Sequence, residues 1–211
     1  MAQQSVRVIG QAKPLVFLLG LAPALRWVWL GLHDGLSANP IEFLTRSSGT
    51  WALVCLLVTL AITPVRRLIQ VPALLRLRRM CGLFAFFYAF LHFTAWAWWD
   101  RGLELASMLR DLAERPFILV GFTAFVLMAA LALTSTQAAM RRLGRHWQRL
   151  HRAVYLIGLL VILHYWWHKA GKNDLREPLI YGAVLLLLLG WRVAAWWHRR
   201  RALRAEPASL A

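Results

Sequence analysis

The chain has 211 residues, 60% of them hydrophobic and only 16% charged, with 12 Trp and a formal charge of +16. Soluble domains carry roughly 25% charged residues, and surface-to-volume scaling would not let a soluble domain of this length bury so much apolar area. A soluble enzyme is therefore excluded, and the expected class is an all-α polytopic membrane helix bundle with no room for a soluble catalytic domain.

The first apolar run is Pro14–Leu32. Arg26 interrupts it and further runs follow, so it is not expected to be a cleavable signal. The second is Thr50–Thr63, the third Met80–Trp99, the fourth Phe117–Ser135, the fifth Ala153–Trp167 and the sixth Leu179–Trp197. The second and fifth fall short of the about 17 residues needed to cross a bilayer, so both are expected to extend into their flanks. The runs are continuous rather than alternating, which makes them helices. Between the third and fourth, Leu103, Leu105, Met108, Leu109 and Leu112 give an apolar face to a short amphipathic helix, and Pro116 restarts the chain for the fourth span. Trp27, Trp29, Trp96, Trp98, Trp99, Trp166, Trp167, Trp196 and Trp197 sit at span ends as an interfacial belt. Arg192, about one turn inside the last span, is expected to snorkel to the cytoplasmic surface. Cys55 and Cys81 show neither metal spacing nor a disulfide framework.

Charge orients these spans. Arg66, Arg67, Arg76, Arg78 and Arg79 follow the second, and Arg141, Arg142, Arg145, Arg149 and Arg152 follow the fourth. Arg199, Arg200, Arg201 and Arg204 follow the sixth, with Glu206 beyond them. The remaining acids, Asp34, Glu42, Asp100, Glu104, Asp111, Glu114, Asp174 and Glu177, occupy the other three loops. Basic loops stay in the cytoplasm, so the alternation predicts six spans with both termini cytoplasmic. The same arginines explain the high pI through the lipid bilayer, and no nucleic-acid partner is expected.

There is no Gly-rich phosphate loop and no nucleophile elbow, hence no candidate catalytic residue. Histidine carries what chemistry there is. His92 lies 12 residues into the third span and His164 13 residues beyond the start of the fifth near His151, both counted from the basic side. At about 1.5 Å per residue both sit roughly 18–20 Å deep, in the outer half. An ionisable side chain at that depth is costly and points to a site. Either histidine alone could simply bond a neighbouring helix, but two at matching depth on parallel helices favour a bis-histidine haem, one axial ligand from each. His151 precedes His164 by about 20 Å along the helix and roughly 140° around it, so an ideal helix would not put them on one face. Its counterpart position on the third span, near Arg78 and Arg79, holds no His. His168, one turn beyond His164, is a minor alternative ligand; His33, His146 and His198 read as interfacial.

Several segments carry a resemblance. Gly49-Thr50-Trp51, the run Leu60 to Arg67, the run Arg78 to Leu83 with Tyr88 and Leu91-His92-Phe93, Leu133-Thr134-Ser135, and the run Trp147 to Tyr155 with His164-Tyr165 resemble the MsrQ (YedZ) family. These are haem-binding membrane subunits of periplasmic methionine sulfoxide reductase systems, and they belong with the ferric-reductase-like transmembrane domains. The resemblance covers nearly all of residues 1–211, read as one domain. It implies a protein of the bacterial inner membrane that carries haem b and FMN. It implies electrons taken from the quinone pool or a cytosolic flavin reductase and passed to the periplasmic molybdopterin reductase MsrP, which repairs methionine sulfoxide in proteins.

The family's key histidines match His92, His151 and His164, the candidate metal ligands. Relatives with two stacked haems carry four such histidines in two pairs, and this sequence lacks the fourth. The fused cytosolic flavin and nicotinamide domain of larger relatives is not expected here, so electrons are expected to come from elsewhere. For the flavin phosphate the candidates are Arg78, Arg79, Arg145 and Arg152, since guanidinium forks bind phosphate oxygens bidentately; lipid headgroups would suit the same side chains. The acids Asp100, Glu104, Asp111, Glu114, Asp174 and Glu177 are expected to ring the outer exit and favour a basic partner. A cofactor-free anchor or a small transporter, with Arg26 as its one buried relay, is the competing class.

Overall fold

The structure, a computed structural model, describes residues 2–171 and 173–205. Its helices are α1 (Ala2–Leu32), α2 (Pro40–Leu68), α3 (Leu75–Thr94), α4 (Leu105–Glu114), α5 (Pro116–Leu133), α6 (Gln137–Leu143), α7 (Arg145–His151), α8 (Ala153–Ala170) and α9 (Arg176–Ala205). A 3-10 turn, Pro72–Leu74, leads into α3, and no strand occurs among the described residues. Six spans are long and apolar enough to cross a membrane: Val6–Leu32, Pro40–Leu68, Pro72–Asp100, Pro116–Leu133, Arg145–Ala170 and Arg176–Arg201. The all-α six-span expectation holds; Glu206 lies outside the described residues.

The two runs that looked short do extend. Asn39 caps α2, its side chain accepting from the Glu42 amide at 3.1 Å, and Pro40 takes the first turn, where its missing N–H costs nothing. The fifth span gains length by stacking α7 on α8 through a turn at Arg152. The third continues past Thr94 in a π-helical turn, Ala95–Asp100, just beyond His92.

The core lies where α2 packs on α3 and α5 on α8. Leu53, Leu60, Tyr88, Ile157 and Leu185 are all but fully buried there. The Tyr88 hydroxyl donates to the Gly20 carbonyl at 2.5 Å and ties α3 to α1. The outward faces stay apolar: Leu15, Leu18 and Leu19 on α1 and Leu186, Leu187 and Val193 on α9 are more than half exposed. Such a surface would drive aggregation in water and is the ordinary lining of a bundle in lipid.

Two expectations are corrected and a third is refined. Trp27 is not in the belt: it is 8% exposed, its indole donates to Ser47 Oγ at 3.1 Å, and it meets Tyr88 edge-on. Arg192 does not snorkel. It donates to the Leu188 carbonyl at 2.7 Å and, across to α2, to the Leu60 carbonyl, with its guanidinium 5.5 Å from the Tyr155 ring centre. Residue 64 would normally donate to Leu60, but it is proline, so Arg192 satisfies an acceptor that the helix itself leaves open. Finally, α4 forms as expected but is anchored by a charge. Leu105 and Leu109 point outward, while Asp111 is 6% exposed and holds Arg101 at 2.7 Å, Arg115 at 3.5 Å and the Trp96 indole at 3.3 Å.

Candidate functional site

His92 on α3 and His164 on α8 face each other, ring centres 6.2 Å apart and planes crossed at 79°. Each is held from behind by a different helix. His92 Nδ1 bonds the Thr45 carbonyl of α2 at 2.8 Å, and His164 Nδ1 bonds the Phe117 carbonyl of α5 at 2.7 Å. A carbonyl can only accept, so Nδ1 carries the proton on both rings and Nε2 keeps a bare lone pair. Behind each ring, one turn past the accepting carbonyl, stands a glycine: Gly49 on α2 and Gly121 on α5.

The pair opens into a cavity of about 1010 Å³ that reaches the end of the bundle bearing the acidic loops. That is at the upper end of the roughly 300–1,000 Å³ typical of ligand sites. Phe93, Phe122, Phe125, Met128 and Val161 make its wall apolar and aromatic. Among the described residues no group of three or more His, Cys, Asp or Glu could hold a bare metal ion. Two imidazoles alone suit a metal that brings its own equatorial ligands. The spacing fits as well: two metal–imidazole bonds of about 2 Å, plus the distance from each ring centre to its nitrogen, span about 6 Å, against the 6.2 Å found.

The other candidates are placed elsewhere. His168 lines the same cavity, 5.9 Å from the Phe117 ring, but it is His92 that His164 faces. His151 does not line the cavity; it sits at the arginine-rich end, stacked on Trp147 at 3.9 Å with Nε2 3.2 Å from Thr134 Oγ1. Arg78 is half-buried and within electrostatic reach of His151, whereas Arg79, Arg145 and Arg152 are exposed. None of the four lines the cavity. Arg26 is exposed on α1 and loses its standing as a buried relay.

The mouth is not a plain acidic rim. Arg46, Arg101, Arg115 and Lys169 line it alongside Glu42, Asp100 and Glu177. Lys169 is 3% exposed and bonds Asp174 at 2.6 Å and Glu177 at 3.5 Å, and Tyr165 donates to Glu177 as well. The Lys169 ammonium holds the Asp174 carboxyl below the usual carboxylate range. Sequence reasoning found both histidines but not the carbonyls, the glycines or these pairings. Backbone acceptors have no residue signature, although a glycine inside each flanking span was a visible sign of close approach.

Residues 48–162 match the family "Ferric reductase like transmembrane component". A protein-methionine-sulfoxide reductase heme-binding subunit MsrQ from Bordetella pertussis is 74% identical over 203 residues, covering 96% of this chain and 98% of that protein. The MsrQ from Ralstonia nicotianae is 61% identical over 89% of this chain and 86% of its own length, and that from Xanthomonas campestris 49% identical over 97% and 94%. No solved structure matches. With identity this high over nearly the whole length, and the ferric-reductase-like region spanning α2 to α8, the chain belongs to the MsrQ family of ferric-reductase-like transmembrane proteins.

Proposed function

We propose that this chain is the haem b subunit of a membrane electron-transfer system, with His92 and His164 as the residues that would hold the haem iron. The observation that carries the reading is the facing imidazole pair, 6.2 Å apart, with both Nδ1 atoms committed to backbone carbonyls. Bound there, the haem supplies a one-electron centre inside the bilayer. The chain's own residues do the rest. The carbonyls of Thr45 and Phe117 fix the tautomers that leave both Nε2 atoms free to ligate. Phe93, Phe125 and Met128 keep water out, and the half-exposed guanidinium groups of Arg46 and Arg115 at the mouth offer cations to the macrocycle's carboxylates.

Direction follows from loop charge. The arginine-rich end faces the cytoplasm, and the cavity end faces the periplasm across the inner membrane. Electrons enter near His151 from the quinone pool or a cytosolic flavin reductase. FMN at that end would use Arg78, Arg79, Arg145 or Arg152, of which Arg78 beside His151 is the best placed. Electrons leave at the cavity end to a periplasmic molybdopterin reductase of the MsrP type, which carries out the reduction of methionine sulfoxide. The relatives' names support the haem and the methionine sulfoxide reductase setting.

The direct test is His92→Ala and His164→Ala in the purified full chain. Each should remove the low-spin haem spectrum, because a bis-histidine site fails when either ligand is lost. An unchanged spectrum in both would overturn the assignment.

A further inference from the structure

The two half-sites share one construction. In each, a histidine reaches a backbone carbonyl 47 residues earlier in the chain: His92 to Thr45 and His164 to Phe117. In each, the residue one helical turn after that carbonyl is a glycine against which the ring lies. A Cβ on Gly49 would stand 3.0 Å from His92 Nδ1 and 3.1 Å from its Cε1. A Cβ on Gly121 would stand 2.6 Å from His164 Nδ1 and 2.8 Å from its Cε1, closer than real Cβ atoms come. Glycine is a weaker helix former than alanine, and α2 and α5 each place one where an imidazole reaches the backbone.

We infer that Gly49 and Gly121 are positioning residues that let two backbone carbonyls hold the imidazoles in crossed planes and so set the electronic character of the site. The inference rests on the haem reading above. A side chain at either position would push the ring off its carbonyl and turn its plane. The Nδ1–H to carbonyl bond raises the basicity of the ligand, and a more basic imidazole favours the ferric state. Losing the bond therefore raises the midpoint potential. Crossed ligand planes also leave ferric low-spin iron with a strongly anisotropic EPR signal, and rotating one ring reduces that anisotropy.

The experiment uses the full chain, haem-loaded, with Gly49→Ala, Gly121→Ala and, as a control, Gly190→Ala, whose Cβ would meet nothing within 4 Å. Midpoint potential and low-temperature EPR are measured on each. The expected order is Gly121→Ala, then Gly49→Ala, with an upward potential shift and reduced anisotropy in both, and Gly190→Ala matching the parent chain. Should Gly121→Ala not accumulate, the milder Gly49→Ala carries the test, since its ring needs to give only a few tenths of an ångström. Parent-like EPR and potential in Gly49→Ala and in any Gly121→Ala obtained would overturn the inference. In that case loss of the low-spin signal in His92→Ala and His164→Ala would still leave the haem reading standing; retention there would remove both.

Discussion

Two of the four histidines on the fifth span, His164 and His151, sit in opposite surroundings, and the contrast bears on which of them could hold a haem iron. His164 gives its Nδ1 proton to a backbone carbonyl of α5 and looks across at another imidazole held in the same way. His151 meets the end of α5 through the Thr134 hydroxyl, whose one proton goes to the Ala130 carbonyl at 2.6 Å, so the oxygen accepts from His151 Nε2–H and that nitrogen keeps no free lone pair. It stacks on Trp147 rather than facing a second histidine, and the charged neighbour across from it is Arg78. A bare Nε2, an apolar wall and an opposed imidazole suit the haem proposed between His92 and His164. The arginine-rich end offers instead a half-exposed ring among cations, an arrangement suited to an anionic cofactor or donor.

The sharpest way to break this comparison is to remove each histidine in turn. His164→Ala should cost more haem affinity than the roughly 10–100-fold seen when only a ligand's hydrogen-bond partner is lost. His151→Ala should keep the haem content and low-spin signal while slowing reduction by the donor. Absorbance of the purified variants and stopped-flow reduction read the two effects separately. Complete haem loss in His151→Ala would erase the distinction drawn between the two ends.

A second, smaller effect tests how the arginine-rich end is held together. Arg192 donates to the Leu60 carbonyl that Pro64 leaves without its helical donor. Arg192→Leu should destabilise the bundle by about 1–3 kcal/mol, the usual penalty for a buried unsatisfied acceptor. In a Pro64→Ala background the helix supplies its own N–H to Leu60, and the same substitution should cost less. Unfolding of the four members of this double-mutant cycle in detergent measures the difference. Equal costs in both backgrounds would reduce Arg192 to a surface arginine.

What was legible in the sequence follows from the physics of each feature. Six spans could be read because apolar runs of bilayer length and alternating loop charge are linear patterns. His92 and His164 could be paired because depth along a helix is a count of residues. The amphipathic α4 was foreseen from the spacing of its leucines, but its anchor was not, since Asp111 reads as one more loop acid until Arg101, Arg115 and Trp96 close around it. The same blindness turned Trp27 and Arg192 into interfacial residues. Both make contacts with residues distant in the chain, Ser47 and Leu60, that no local pattern announces.

The smallest effect concerns the mouth of the cavity. A ring of unpaired carboxylates there would make partner association strongly dependent on salt and on acid titration. In the structure Asp111 is turned inward, and Asp174 and Glu177 both serve the buried Lys169. Asp174 has its carboxyl pulled below the ordinary 3.8, first by the hydrogen bond from Lys169 and then by its charge. A carboxylate depressed in the folded state contributes stability that is present above its ordinary value and lost as the pH falls through the lower folded value. The contribution of Asp174 should therefore be constant from about pH 5 upward and vanish only below 3.8. Because the Asp174 side chain is about half exposed to solvent and Glu177 also reaches Lys169, Asp174→Asn should lower the melting temperature only slightly at pH 7. Below the titration range the variant should coincide with the parent chain. Melting curves of both proteins between pH 3 and 7 decide it: a difference that does not shrink toward the acid end, or a large one at pH 7, would mean that Asp174 acts on more than Lys169.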